Sequence, residues 1–436
     1  MLRGRLPKRQ GTATYAVGSL ALRQRFDGFG PLHGIAVHQY GVLYRFRTIA
    51  DIKASMAKSD ARVALLTNFL PIYRVPLLES LAENVQQLRV FLSVKMERNR
   101  DWPVFWGLLD VVVHRSITIE RNFRNAHGYT DQTFTHIPYD TLPLLWSYRP
   151  DVIVSSELGV RSLIARLYKL LRPRTRLIIW ATLSERTEES RGSIREALRR
   201  WLLKRVDAVY VNGASGSRYI RSLRYDGLIS VVPYVADNSA FLDPGVRHRD
   251  DTLRLLYTGQ LIERKGLNLF LEQLSRWCSV HEKKTVLLSV VGSGEQFDQL
   301  RRIELPPNLQ IDFKGSMGFE ELPSQYHGAE LYVYPTLADE WGLVVNEAMM
   351  AGLPVLGSRF SQAVEELVVD GVNGWVFDPT DVHDTYNAIG RALQADTKTL
   401  EAMSDHAVRS VAGLTQSAMA KRMSETILQT LDTKPA

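Results

Sequence analysis

The sequence predicts an α/β protein of two domains, each with a parallel sheet covered by helices. Three observations carry that expectation. Short apolar runs alternate with helix-like stretches over most of residues 62–358, a rhythm that requires crossover connections between parallel strands. A chain of 436 residues exceeds what one hydrophobic core supports. Residues 234–252, YVADNSAFLDPGVRHRDDT, collect Asp, Asn, Pro and Gly without periodicity, as a linker does.

The elements follow in order. Residues 1–60 form an N-terminal extension, basic and without periodicity. MAKSDARVALLTN, from Met56, reads as an ordinary start running into a first strand, so residues 1–55 are expected to be dispensable. The first domain, 61–235, opens with strand 62–67 (RVALLT) and the loop NFLPIYRVP, where a doubly wound domain binds ligands. Tyr73 and Arg74 in that loop are acceptor-site candidates, against the duller alternative that Tyr73 packs and Arg74 pairs with Glu79. Strands follow at 88–94, 151–155, 176–180, 207–211 and 230–233, whereas residues 97–135 gain no assignment. After strand 176–180 comes ATLSERTEE, in which Glu185 is placed to contact an acceptor hydroxyl and Ser184 to cap a helix with Glu188 nearby.

The second domain, 253–400, follows the 236–252 linker. Strand 253–258 leads into GQLIERKG, Gly259 to Gly266, where Arg264 and Lys265 stand before a helix and would meet a diphosphate. Strand 286–291 leads into Gly292, Ser293 and Gly294; as a dinucleotide fingerprint this turn fails, because Phe297 holds the third glycine position. Strand 309–313 precedes the richest stretch, LYVYPTLADEWGLVVNEAMMAGLPVLGS, residues 331–358, which reads strand, loop, helix, strand. Asp339 and Glu340 lie in its loop, Gly342 lets a ligand approach the backbone, and the amides of Leu343, Val344 and Val345 offer an anion site at the helix N-terminus. Glu347, one turn inside the helix, suits paired hydroxyls such as those of a ribose. Together these features suggest a sugar nucleotide. Residues 401–436 are helical and expected to cross back to the first domain.

Hydrophobic residues make up 45% and charged residues 23%, as in ordinary globular chains. The single cysteine, Cys278, excludes an internal disulfide or thiolate metal cluster and fits a reducing cytoplasm. No apolar run approaches the roughly 20 residues of a membrane span, and no apolar signal-type stretch follows the basic MLRGRLPKRQ. The net charge is +7, and residues 1–55 alone hold nine Lys or Arg against two Asp. Residues 161–205 hold thirteen against four Glu. Within them IREALRRWLLKR, 194–205, sets Arg195, Arg199, Arg200, Lys204 and Arg205 around Leu198, Trp201 and Leu202. It reads either as a patch for anionic lipid or as an amphipathic core helix with a basic outer face. Nucleic-acid binding is excluded as a leading class, since no aromatic residues interleave the basic ones in a stacking pattern.

The string D-E-W-G-L-V-V-N-E-A-M-M-A-G-L-P-V resembles the nucleotide-sugar signature of glycosyltransferase family 4: two acidic residues with seven between, then A-M-A-x-G-x-P-V. Asp339 and Glu347 fall on the acidic positions, with Asp in place of the more usual first Glu. Lys265 and Gly266 match the family's K-G, whereas Gln260 replaces its usual Arg. Near Thr182 the family often has a His; this chain has Thr182, Ser184, Glu185 and Glu188. The resemblance implies the GT-B fold, two Rossmann-like domains facing a cleft, and retaining, usually metal-independent hexosyl transfer. The donor would be a UDP-, GDP- or ADP-sugar and the acceptor a glycan or lipid-linked hydroxyl compound, in cell-surface polysaccharide or glycolipid synthesis. No cofactor or metal is implied, and the chain contains no D-x-D. The expected place is the cytoplasm, peripheral on the inner face of the membrane. Glu347 would hold the ribose, Asp339 the transferred sugar, and Lys265, with Arg264, the diphosphate; Gly259, Gln260, Gly292, Gly294 and Glu340 would complete the donor side. The alternatives are a nucleotide-sugar epimerase or hydrolase of the same architecture, or a non-catalytic membrane- or nucleotide-binding protein.

Overall fold

Apolar runs of four to nine residues become the strands of two parallel sheets in the computed structural model, which describes residues 59–98, 103–125, 129–189, 191–235, 239–242, 251–318 and 320–433. The extension before residue 59, and most of the 236–252 linker, lie outside the described residues. The first sheet comprises β1 (Ser59–Thr67), β2 (Val85–Leu92), β3 (Asp110–Val113), β6 (Val152–Ser156), β7 (Arg176–Ala181), β8 (Ala208–Val211) and β9 (Leu228–Val231). A separate antiparallel hairpin, β4 (Ser116–Arg124) and β5 (Thr130–Pro138), interrupts the alternation. The second sheet comprises β10 (Thr252–Thr258), β11 (Thr285–Val291), β12 (Leu309–Gly315), β13 (Leu331–Tyr334), β14 (Val355–Ser358) and β15 (Gly374–Phe377).

Strand order is β3-β2-β1-β6-β7-β8-β9 in one sheet and β12-β11-β10-β13-β14-β15 in the other, every pair parallel. In each, the chain starts near the middle, winds outwards and then reverses, so a crevice opens beyond the carboxyl ends of the two central strands. Those pairs are β1 with β6 and β10 with β13. The loops that leave them are 68–74 and 157–159 in the first sheet, and 259–266 and 335–342 in the second. Topology alone therefore nominates four loops for ligand contact.

The central strands of both sheets are buried on both faces, which is why β6, β7 and β13 read as unbroken apolar runs. The helix Thr397–Val411 packs Ala407 and Val411 beneath the second sheet with Val345 and Met349. The last helix, Gln416–Asp432, instead places Met419, Ala420, Met423 and Ile427 in the core of the first sheet. Tyr210 donates to the Met423 carbonyl at 2.8 Å, and Arg176 to the carbonyls of Leu431 and Thr433. The C-terminal segment is thus part of both cores. Among the described residues no helix is long and apolar enough to cross a membrane.

Candidate functional site

At the end of β10, loop 259–266 runs backbone against backbone with the loop after β11. Gly259 donates to the Val291 carbonyl and Leu261 to that of Ser293, each at 2.9 Å. Gly292 is obligatory there: its φ is +144°, and a Cβ would stand 1.8 Å from the Gly259 carbonyl oxygen. Gly294 lies in the same way against Leu261, and Gln260 is exposed with its carbonyl held by the Tyr257 hydroxyl at 2.8 Å. The loop closes on the short 3₁₀ turn Glu263–Lys265, which presents two cations.

Those cations meet Asp339. The Lys265 ammonium pairs with the Asp339 carboxylate and lies 3.2 Å from the Tyr334 hydroxyl, which itself donates to Asp339 at 2.6 Å. Arg264 donates to the Ala338 carbonyl at 2.9 Å and stands 3.7 Å from the same carboxylate. Burial works to raise the Asp339 carboxyl, but Lys265 and Arg264, with hydrogen bonds from Lys265 and Tyr334, hold it well below the usual carboxylate range. Asp339 is therefore a permanent anion between two cations, a cluster with net positive charge beside the helix Leu343–Met350.

Gly342 begins that helix at φ +100°, its α-carbon so close to Tyr334 that an added Cβ would stand 2.7 Å from the ring. The Val345 amide donates to the Gly342 carbonyl at 2.9 Å, so of the three amides expected to face an anion, those of Leu343 and Val344 remain for a ligand. Glu347 is 7% exposed and accepts from Tyr326 at 2.8 Å. Tyr326 and Tyr332 in turn share the Thr258 hydroxyl at 2.8 and 2.9 Å. Burial, opposed by the Tyr326 hydrogen bond, pushes the Glu347 carboxyl up to about 7.

The first domain reaches this cluster from across the crevice. Tyr129, on the hairpin, packs on Leu337 and Ala338, and the Thr130 amide donates to Glu263 at 3.3 Å. Gln362 Nε2 donates to the carbonyls of Leu183 and Glu340 at 3.0 and 2.6 Å, and Asn212 Nδ2 to that of Glu340 at 3.1 Å. Arg74 does not pair with Glu79, which accepts instead from the Leu108 amide at 2.7 Å. Its guanidinium stacks on Trp180 and Tyr234, centred 4.7 and 4.5 Å from their rings, and hydrogen-bonds the Tyr234 hydroxyl; Tyr73 packs on Tyr234. Glu185 is engaged elsewhere: it pairs with Arg218 at 2.7 Å and lines a cavity of about 330 Å³ with Arg359 and Phe360. The Ser184 cap forms with Thr187, not Glu188, as its reciprocal partner. Glu188 is taken by buried Arg199.

The pairing of β10 with β13 thus brings Lys265 and Arg264 to Asp339, and the spacing of residues 331–358 puts Glu347 in the helix that follows. Across the crevice Glu157 accepts from the Thr182 hydroxyl at 2.5 Å, and Trp180 and Tyr234 hold Arg74; no spacing in the sequence joins these four residues. Each ends or follows a strand or lies in a connecting loop, and the order of the sheet, rather than any motif, gathers them. Among the described residues no group of three His, Cys, Asp or Glu is arranged to hold a metal ion.

Residues 240–409 match the family described as Glycosyl transferases group 1. A glycogen synthase of Mycobacterium tuberculosis is 30% identical over 203 residues, 45% of this chain and 48% of that protein. A GDP-mannose-dependent alpha-(1-6)-phosphatidylinositol monomannoside mannosyltransferase of Mycolicibacterium smegmatis is 28% identical over 48% of this chain and 58% of its own length. The chain thus spans about half the length of these curated relatives. The crystal structure of Anabaena Alr3699/HepE in complex with UDP and glucose superposes with a TM-score of 0.60 at 15% identity, covering 84% of this chain and 99% of that one. That likeness shows the fold: two parallel-sheet α/β domains in the GT-B arrangement.

Proposed function

We propose that the protein is a glycosyltransferase that moves a hexosyl group from a nucleotide-diphosphate sugar to a hydroxyl acceptor with retention of anomeric configuration. One observation carries this reading: Lys265 and Arg264 converge with Asp339 at the crossover of the second sheet, one helix turn from a buried Glu347 with a hydroxyl-binding geometry. The two cations and the amides of Leu343 and Val344 offset the charge that builds on the departing nucleoside diphosphate. Asp339, fixed as an anion, accepts hydrogen bonds from the transferred sugar, and Glu347 from the donor ribose. The acceptor oxygen attacks on the face the diphosphate leaves, and a phosphate oxygen takes its proton. The group 1 match over residues 240–409 and the likeness to a structure holding UDP and glucose support the donor class.

The acceptor is read as membrane-borne, in polysaccharide or glycolipid synthesis. The helix Ser193–Leu203 does not bury the stripe its sequence suggests: Leu202 goes inward with Arg199, while Ile194, Leu198 and Trp201 face outward, Ile194 at 86% exposure. Leu167, Leu170 and Leu171 of the neighbouring helix are exposed too, and Arg166 lies over the Trp201 ring at 3.4 Å. Apolar side chains ringed by arginines suit an anionic bilayer. The test is a thermal-shift screen of UDP-, GDP- and ADP-sugars, then transfer from the best donor to soluble and lipid-linked acceptors. Turnover that is equally fast without any acceptor would assign a hydrolase or epimerase instead.

A further inference from the structure

Opposite the donor cluster, the crossover of the first sheet holds a carboxylate without a role in that chemistry. Glu157 follows β6 at φ +66°, a left-handed conformation that side chains larger than Asn or Asp rarely adopt. Its Oε1 accepts from the Thr182 hydroxyl at 2.5 Å and from the Thr182 amide at 3.3 Å. Its Oε2 is buried without a hydrogen-bond partner. From the other domain, Glu340 brings its Oε2 to 3.4 Å from the same Thr182 hydroxyl. That hydroxyl has one proton, given to Glu157, so it meets Glu340 as a hydrogen bond only where Glu340 is itself protonated. Fully buried Asn212 fixes the Glu340 backbone through Nδ2, and its own Oδ1, on the same amide, is also unpartnered.

Two carboxylates, one from each domain, thus converge on one hydroxyl with acceptor capacity unfilled on Glu157 and on Asn212. Groups around Glu340 are Glu157, Asp339, Arg264, Glu188 and, on the far side, Arg74. We propose that Glu157 and Glu340 form a two-domain subsite that grips one neutral hydroxyl of the sugar acceptor: Glu157 Oε2 accepts from it, and protonated Glu340 turns its one proton from Thr182 to it. The acceptor is preferred over the donor sugar because Glu157, Thr182 and Asn212 belong to the first domain, whereas the diphosphate cations Arg264 and Lys265 belong to the second. Burial raises both carboxyls; at Glu157 the Thr182 hydrogen bonds and Arg74 oppose it, whereas at Glu340 the charges of Glu157 and Asp339 add to it and push the carboxyl up to about 8, so the one proton the pair keeps through neutral pH sits on Glu340.

This rests on the glycosyltransferase reading, and the two fail differently. The experiment uses the full chain, the donor that gives the largest thermal shift, and octyl glucoside as acceptor probe, with Glu157→Gln and Glu340→Gln each compared with wild type. The expected result is a rise in acceptor KM of about tenfold or more in Glu157→Gln, with donor KM and the slow acceptor-independent hydrolysis of the donor unchanged. Wild-type kcat/KM for the acceptor should fall above pH 8, and that fall should vanish in Glu340→Gln, whose amide donates at every pH. A purely structural role would not move acceptor KM alone or flatten the profile. An unchanged acceptor KM in both variants, or a rise in donor KM instead, overturns the subsite. Absence of wild-type transfer to octyl glucoside and to the soluble and lipid-linked acceptors alike removes the glycosyltransferase reading itself, and the subsite with it.

Discussion

Glu347 offers the sharpest test of the donor site, because one titration should move two measurements in opposite directions. Its carboxyl is 7% exposed, has the Tyr326 hydroxyl at 2.8 Å as its hydrogen-bond partner, and is pushed up to about 7 by burial. The ionised form offers both carboxylate oxygens as acceptors to a pair of ribose hydroxyls, whereas protonation turns one of them into a donor. At pH 6 about one molecule in ten is ionised, so apparent donor affinity should be about tenfold weaker than at pH 8. Folding stability should run the other way. The native state holds this proton between the unfolded value of 4.5 and about 7, so the stabilisation is complete below 4.5 and is lost as pH rises through 7. Glu347→Gln should lose affinity by a factor of roughly 10 to 100, the worth of charge-assisted hydrogen bonds, and make donor affinity independent of pH. Calorimetric titration of the nucleoside diphosphate in two buffers of different ionisation enthalpy reads both affinity and proton release. Wild-type affinity that is flat from pH 6 to 8, with no proton released, would refute the ribose role.

Lys265→Ala should reduce transfer by about 10² to 10³, the usual loss on removing one group that stabilises developing charge, with kcat falling more than donor KM rises. It also leaves Asp339 with Arg264 at 3.7 Å, so a stability loss of about 2–4 kcal/mol is expected from denaturant midpoints, below the full cost of orphaning a buried ion. Because the Asp339 carboxyl is held low, its contribution is present above the unfolded value near 3.8 and is lost as pH falls below it; Asp339→Asn should flatten that acid limb of the stability curve. Gly342→Ala forces a side chain into φ +100° and into the Tyr334 ring, a cost of about 1–3 kcal/mol readable in urea, and donor binding should weaken with it. Trp201→Asp should lower co-sedimentation with vesicles containing phosphatidylglycerol by about tenfold without changing turnover of a soluble acceptor; equal binding by both proteins would remove the membrane surface.

The half of the site proposed for the donor was legible because its residues lie at short range. From Asp339 to Glu347 the candidate residues sit on one loop and one helix, so spacing alone fixes their geometry, and the Lys265 loop follows the adjacent strand. The facing half had no such economy. Arg74, Glu157 and Thr182 follow β1, β6 and β7, and Glu340 comes from beyond the linker; their neighbourhood depends on strand order and on the approach of two domains. Short-range reading failed elsewhere for the same reason. The strand β3 has four residues with an exposed start, and β4 is largely exposed, so neither carries a buried-strand pattern. The strand β15 is only four residues long, and its Trp375 and Phe377 are buried in a core that gathers Phe270, Leu274, Ala388 and Ile389 from two helices. The amphipathic helix shows the same limit from the other side. The helix runs over Ser193–Leu203, and its inward face carries Arg199, paired with Glu188, beside Leu202 and Leu203, while Trp201 stays outside. That arrangement, which the hydrophobic pattern left open, leaves Trp201 exposed on the surface proposed above for membrane contact.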